Sequence, residues 1–148
     1  MSPTLLLPLT IAILAGGLAA LQAPMNAALG RGLGSPIAAA AISFGIGFLA
    51  LLALTILTGQ MISVERARAV NGWLLFGGLV GAFYVWAILW TVPTLGLVTA
   101  ISGMILGQLV IALILDAAGP FGLSTHAVTP ARIVALAMVA GGLILSRL

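Results

Sequence analysis

The sequence predicts an all-α integral membrane protein with five transmembrane helices in one domain. Of its 148 residues, 63% are hydrophobic and 5% are charged, whereas a soluble domain carries about 25% charged residues. The apolar residues form long continuous runs, and a helix of about 20 such residues crosses a bilayer. Transmembrane β-strands would instead alternate polar and apolar residues over about ten positions. The chain is therefore expected to use the lipid bilayer as its solvent.

Short polar or Gly-rich segments divide the sequence into five predicted spans, which cover residues 5–29, 36–58, 72–90, 95–115 and 131–146. The first apolar run is longer than the core of about 15 residues in a signal peptide and follows no basic segment, so it is expected to stay in the membrane. This run ends in the Gly-rich GRGLG. The segment TVPTLG is expected to break the chain between the third and fourth spans.

Helix caps support three of the five starts. Ser35-Pro36 and Thr129-Pro130 each place an N-capping hydroxyl before a proline at the first helical position. Asn71 is expected to cap the third span. Small residues also recur four positions apart, which favours close helix packing. These pairs are Gly16 and Ala20, Gly77 and Gly81, and Gly103 and Gly107.

The stretch LQAPMNAALG places Gln22, Pro24 and Asn26 inside the first span. Gln22 and Asn26 are four residues apart and share a helical face. Pro24 cannot donate a hydrogen bond to the carbonyl of Ala20, so a kink or local helix break is expected beside the two amides. An unsatisfied polar group in hydrocarbon costs several kcal/mol. The amides are therefore expected either to hold helices together or to line a substrate cavity beside a broken helix.

Other polar and aromatic side chains inside the spans complete the set of candidate substrate contacts. Tyr84 lies deep in the third span, where its hydroxyl needs a partner. Trp73 and Trp90 are expected in the interfacial aromatic belt. Trp86 lies one turn deeper than Trp90. Ser43 is expected to bond its own helix, as a lone serine usually does. The candidate substrate-binding residues are Gln22, Asn26, Ser43, Tyr84, Trp86, Thr99, Ser102 and Gln108.

Of the two acidic residues, Glu65 lies in a loop and Asp116 lies at the C-terminal edge of the fourth span. No carboxylate occurs at mid-span, where a proton-coupled carrier usually keeps one. Asp116 ends the fourth span and Arg132 begins the fifth on the same membrane side. We therefore expect an interfacial ion pair, with a structural role favoured over a role in coupling.

The composition also argues against catalysis, metal binding and nucleic-acid binding. The chain has no Cys and a single His, His126, so neither a metal site nor a cofactor is expected. Catalytic constellations are missing, and the chain is not expected to be an enzyme. The net charge of +3 comes from scattered arginines, so no nucleic-acid partner is expected.

Three segments together cover nearly the whole chain and share their motifs with one family. They are QAPMNAALGRGLGSPIAAAAISFGIG, GGLVGAFYVWAILWTVPTLGLVTAISGMILGQLVIALILDAAGPFG and RIVALAMVAGGLIL. The first segment resembles the first two spans of the YdcZ-type family, the second segment its third and fourth spans, and the last segment its fifth span. This family is a half-size branch of the drug/metabolite transporter superfamily. The combination of Gln-x-Pro-x-Asn, Gly-Ser-Pro, Gly-x-Phe-Tyr-Val and Gly-Gln followed by Asp-x-x-Gly is more specific than any one of these motifs.

The resemblance implies a multi-pass protein of the bacterial inner membrane that exports or exchanges small metabolites or drug-like molecules. It also implies a ten-helix unit built from two inverted five-helix halves. Related small multidrug resistance transporters carry a Glu in the first helix, and this chain has Gln22 near that region, so a simple exchange of a proton for a cation is not expected. The residues that match the family's polar pattern by position are Gln22, Asn26, Ser43, Tyr84 and Gln108, which favours a cavity role for the two amides.

The expected function is alternating-access transport of a small-molecule substrate, with the amides beside Pro24 at the membrane midplane and with Tyr84 and Trp86 as walls. The alternative is a non-transporting membrane subunit or assembly partner. In that case the same amides only hold helices together.

Orientation in the membrane is expected to be dual. Five spans place the termini on opposite sides, and orientation follows the Lys and Arg residues of short loops. Arg66, Arg68 and Arg132 would face one side, and Arg31 and Arg147 the other. A difference of one charge is too small to set the orientation firmly. The resemblance, whose family includes dual-topology members as well as paired and fused ones, favours an antiparallel homodimer. The alternatives are a single orientation set by other signals and pairing with a separate subunit.

Overall fold

The computed structural model describes residues 3–148, with side chains from residue 6 onwards, and every regular element in this part of the chain is helical. In chain order, the helices are α1 Pro3–Leu33, α2 Pro36–Leu57, α3 Val64–Ala69, α4 Gly77–Leu95, α5 Leu97–Ala118 and α6 Pro130–Leu145. Short 3-10 turns occupy Gly72–Phe76 and Pro120–Gly122. The all-helical class predicted from the continuous apolar runs is confirmed.

In the part of the chain that the structure describes, four helical segments are long and apolar enough to cross a membrane. They are Leu6–Leu33, Pro36–Leu57, Gly72–Leu95 and Leu97–Ala118. The apolar helix α6 has only 16 residues, fewer than the about 20 that span hydrocarbon. The fifth span and the single five-span domain therefore stay predictions.

Two of the three predicted caps are present. Ser35 accepts a hydrogen bond from the backbone N–H of Ala38, and Thr129 accepts one from the N–H of Arg132. The prediction for Asn71 is wrong, because its side chain forms no capping bond and a 3-10 turn follows it. The two working caps each precede a proline, which holds the first turn in a helical conformation. Asn71 precedes a glycine, which does not restrain the chain.

Two prolines lie inside helices where the sequence predicted breaks. Pro24 lies within α1, which is continuous, so the predicted helix break is absent. Pro93 lies within α4, so the break predicted over residues 91–96 is reduced to Gly96. Membrane helices tolerate proline because neighbouring groups satisfy the carbonyl that the ring leaves free.

The chain divides into two compact units, residues 1–90 and 91–148, and the boundary lies inside α4. In the first unit α1 packs against α2. A Cβ built on Gly30 would lie 3.3 Å from Cα of Pro36 and 3.6 Å from Cβ of Ala39. The missing side chain of Gly30 therefore allows the two helices to meet closely.

The glycines predicted to mediate packing have few close neighbours. A Cβ built on Gly16, Gly77, Gly103 or Gly107 would meet nothing within 4 Å in the part of the chain that the structure describes. A Cβ on Gly81 would lie 3.9 Å from the Phe44 ring. The closest helix approach that we find, at Gly30, was not among the predicted pairs.

In the second unit, α5 and α6 pack as an antiparallel pair. Gly119 ends α5 with a φ of 62°, and its N–H donates to the Leu115 carbonyl. A Cβ on Gly119 would lie 2.6 Å from Cγ2 of Thr125, so only glycine suits this turn. The N–H of His126 then donates to the Asp116 carbonyl over 2.8 Å. The connection to α6 is thereby folded back against the end of α5.

Candidate substrate site

Gln22 and Ser43 meet across α1 and α2. Nε2 of Gln22 donates to Oγ of Ser43 over 3.4 Å, longer than the about 3.2 Å limit of an ordinary N–H···O hydrogen bond. Gln22 is exposed and Ser43 is half-buried. The bond expected between Ser43 and its own helix is not formed among the described residues, because Ser43 is directed toward α1. Most of the hydrogen-bonding capacity of the Gln22 carboxamide is left over.

Asn26 lies one helical turn after Gln22 and is only 5% exposed. Its side chain forms no hydrogen bond among residues 3–148. No fully occluded side-chain nitrogen or oxygen in the described chain lacks a hydrogen-bond partner. The Asn26 amide therefore keeps a small accessible surface, through which a water molecule or a solute can reach it.

An apolar groove with aromatic walls lies in the first unit. Its volume is about 390 Å³, within the range of about 300–1,000 Å³ typical of small-molecule pockets. Trp86 lines it and stacks on Trp90 with 6.3 Å between ring centroids. The other lining residues are Ile37, Ala40, Ala41, Phe44, Ala82 and Phe83.

The remaining candidates are spread over α4 and α5. Tyr84 is half-buried, and its hydroxyl has no hydrogen-bond partner among the described residues, so the partner expected for it stays a prediction. Ser102 is also half-buried. Gln108 is the twelfth of the 22 residues of α5 and is exposed. The structure thus leaves the Gln108 carboxamide at the middle of an apolar helix.

Thr99 forms a hydrogen-bonded contact that the sequence analysis did not anticipate. Thr99 is 8% exposed, and its hydroxyl lies 3.2 Å from the hydroxyl of Ser146, which also donates to the Leu143 carbonyl of its own helix over 2.7 Å. The Thr99 hydroxyl donates to the Ser146 carbonyl over 3.4 Å. This contact joins the start of α5 to the end of α6. Ser146 was missed because nothing in its local sequence shows that a serine bonded to its own helix also contacts another.

Asp116 and Arg132 join the opposite ends of the same two helices. Nη1 of Arg132 lies 3.0 Å from Oδ2 of Asp116, and the two side chains are 38% and 41% exposed. The structure therefore contains the ion pair expected from the sequence. Among the described residues, no group of three or more His, Cys, Asp or Glu side chains could hold a metal ion.

Comparison with known proteins identifies the family. One family model matches residues 7–145, and its description reads "Putative inner membrane exporter, YdcZ". The chain belongs to the YdcZ family. No curated protein and no solved structure matches it.

Membership in the YdcZ family confirms the resemblance found in the sequence and places the chain in a class. The four membrane-length helices and the family match together make it a multi-pass protein of the inner membrane. In general terms the chain is a membrane transporter, which is a non-enzymatic class.

Proposed function

We propose that this YdcZ-family chain transports small polar or drug-like solutes by alternating access, as an antiparallel homodimer with five spans per chain. The observation that carries the proposal is the exposure of carboxamides inside apolar helices. Gln22 in α1 and Gln108 in α5 are both exposed in the single chain. An unsatisfied polar group in hydrocarbon costs several kcal/mol. A second chain, or water in a cavity shared with it, would remove this cost.

The contacts of α6 support a fifth span despite its short length. Thr99 and Asp116 are separated by about 26 Å along α5, and Arg132 and Ser146 by about 21 Å along α6, at 1.5 Å per residue. Polar contacts at both ends of the pair therefore hold α6 alongside most of α5. Since α5 is long enough to cross the bilayer, α6 would cross with it.

The described contacts also suggest the chemistry of the substrate. Asn26 and Gln22 offer uncharged donors and acceptors, and the groove beside Trp86 offers aromatic and apolar surface. No charged side chain lines that groove. A neutral or weakly charged solute with both polar and apolar parts fits these surfaces better than a strongly charged ion does.

Replacing Asn26 by leucine tests whether its amide serves a substrate or only holds helices together. Leucine keeps the branching at Cγ, and Asn26 forms no described side-chain hydrogen bond. Removing a buried polar group that has no partner is nearly neutral or stabilising. We therefore expect N26L to retain or raise the apparent Tm in detergent while losing binding and flux of any solute identified by a thermal-shift screen of neutral and cationic compounds.

Ala28→Leu on the same helix is the matched control, because Ala28 is exposed and should tolerate leucine with transport intact. If N26L instead lowers the Tm clearly, and no compound in the screen binds or crosses liposome membranes, the chain is the non-transporting subunit in which amides only hold helices together.

Cysteine labelling tests dual topology and the fifth span in one experiment. The chain has no native Cys, and Gln60 and Leu148 are both exposed. Five spans place these positions on opposite sides of the membrane. In intact cells carrying Gln60→Cys or Leu148→Cys, an impermeant maleimide should label about half of the chains at either position if insertion is dual.

The double variant Gln60→Cys with Leu148→Cys then counts labels on each chain by gel shift. Five spans and dual insertion give one label on every chain. A mixture of chains with no label and chains with two labels would mean that α6 does not cross. Complete labelling at one position and none at the other would exclude dual topology.

A further inference from the structure

A narrow cleft between α5 and α6 ends at the Asp116–Arg132 ion pair. Its volume is about 230 Å³, below the about 300 Å³ at which small-molecule pockets begin. It therefore suits a slender apolar group rather than a whole drug-sized solute. Apart from the ion pair, its walls are entirely apolar and consist of Leu109, Ala112, Leu113, Ala135 and Leu136.

The two charged side chains have capacity to bind further groups. Their contact uses one nitrogen of Arg132 and one oxygen of Asp116. A guanidinium has five N–H donors, and a carboxylate can accept about four hydrogen bonds. Both side chains are more than one-third exposed. A ligand can therefore bind both charges while they remain in contact.

The positions of the two charges at the helix ends favour a ligand that carries both a positive and a negative charge. Asp116 lies in the last turn of α5, and Arg132 lies in the first turn of α6. A helix is partially negative at its C-terminus and partially positive at its N-terminus. Each charge therefore has the same sign as the end of its own helix. The pair presents a negative and a positive surface side by side at one end of the cleft.

We propose that this cleft binds a phospholipid with a zwitterionic headgroup that carries a primary ammonium, as in phosphatidylethanolamine. The lipid phosphate accepts hydrogen bonds from Arg132, the ammonium donates to Asp116, and part of one acyl chain lies along Ala112 and Ala135. Basic groups between membrane helices bind phosphate headgroups in this manner. This site is separate from the carboxamides of the proposed transport function and does not depend on them.

Charge complementarity selects this headgroup over the other common ones. An anionic headgroup without an ammonium would bind Arg132 but be repelled by Asp116. A choline headgroup carries the positive charge but has no N–H to donate to the carboxylate. A soluble phosphoethanolamine ester has the right charges but lacks the chain that would fill the cleft.

Native mass spectrometry of the purified chain in detergent tests the proposal. Phosphatidylethanolamine, phosphatidylcholine and phosphatidylglycerol with the same acyl chains are titrated separately, together with glycerophosphoethanolamine. We expect phosphatidylethanolamine to bind about tenfold more tightly than the other two lipids, the difference that corresponds to one charge-assisted hydrogen bond. Glycerophosphoethanolamine should not bind measurably.

Two pairs of variants separate the headgroup contacts from the cleft. D116N and R132Q should each remove most of the preference for phosphatidylethanolamine, whereas Arg147→Gln, which alters an exposed charge outside the cleft, should leave it intact. Ala135→Phe fills the cleft and should weaken all three lipids. Ala137→Phe is the control, since Ala137 is exposed on α6 and does not line the cleft.

Equal binding of the three lipids, unchanged preference in D116N and R132Q, or unchanged affinity in Ala135→Phe would each overturn the proposal. Strong binding of glycerophosphoethanolamine would overturn it as well, because the ligand would then be a soluble ester. Circular dichroism and gel filtration of each variant establish that it is folded, so that a loss of binding is not a loss of structure.

Discussion

The α1–α2 pair and the α5–α6 pair are held together in different ways. Between α1 and α2 the main feature is close backbone approach at Gly30, with a single long hydrogen bond from Gln22 to Ser43. The α5–α6 pair is instead fastened by polar contacts at both ends, at Asp116–Arg132 and at Thr99–Ser146.

This difference indicates which pair depends on polar contacts to stay together. Thr99, Ser146, Asp116 and Arg132 are all partly or fully engaged in holding α5 to α6. In the α1–α2 pair, shape brings the helices together, so the amides of Gln22 and Asn26 are not needed for that purpose. We therefore expect α1 and α2 to be sensitive to changes in volume, and α5 and α6 to changes in polarity.

Gly30→Leu should have the largest effect of the variants considered for stability. The new side chain would meet Pro36 and Ala39 and force the helices apart, and overpacking costs about 1–3 kcal/mol. The apparent Tm, followed through the intrinsic tryptophan fluorescence, should fall clearly. Gly17→Leu is the control, because a Cβ at Gly17 would meet nothing within 4 Å. Equal loss in both variants would show that α1 does not depend on close approach at Gly30.

Exchanging the two charges of the ion pair should change the Tm less than Gly30→Leu does, and should leave it unchanged or raise it. D116N and R132Q should each lower stability by less than about 1 kcal/mol, because exposed pairs contribute little. The double exchange Asp116→Arg with Arg132→Asp keeps the pair and places each charge at the favourable end of its helix, worth about 0.3–1 kcal/mol per charge at low salt. It should match or exceed the native Tm, and a Tm below both single variants would refute this account of the charges.

Thr99→Val should have the smallest effect, since interhelical hydrogen bonds in membranes average about 0.6 kcal/mol. A double-mutant cycle with Ser146→Ala measures the coupling directly. The two substitutions should be less than additive, because each removes the contact between the two hydroxyls, while only Thr99→Val also removes the bond to the Ser146 carbonyl. Full additivity would mean that Thr99 and Ser146 do not stabilise the pair together.

Much of the helical structure could be predicted from the sequence because its causes are local. Long apolar runs require helices in lipid. The pairs Ser35-Pro36 and Thr129-Pro130 mark helix starts, because each cap and the N–H that it bonds lie within four consecutive residues. The pairing of Asp116 with Arg132 was also accessible, since one residue ends a helix and the other begins the next. The helix breaks predicted at Pro24 and Pro93 are absent because membrane helices tolerate proline more often than the local rule for helix breaking implies.

The candidate site depended on the tertiary structure. The rotation and height of one helix against another decide whether Ser43 bonds its own helix or Gln22. They also decide whether Thr99 meets Ser146, and whether Gly30 or another glycine permits close approach. Sequence periodicity gives little information about the rotation of each helix here, because these helices are apolar on every side. The sequence by itself therefore determined the membrane class, the helices and the family resemblance. Only the packing of helices decided which polar groups are satisfied within the chain and which remain for a solute, a lipid or a second copy.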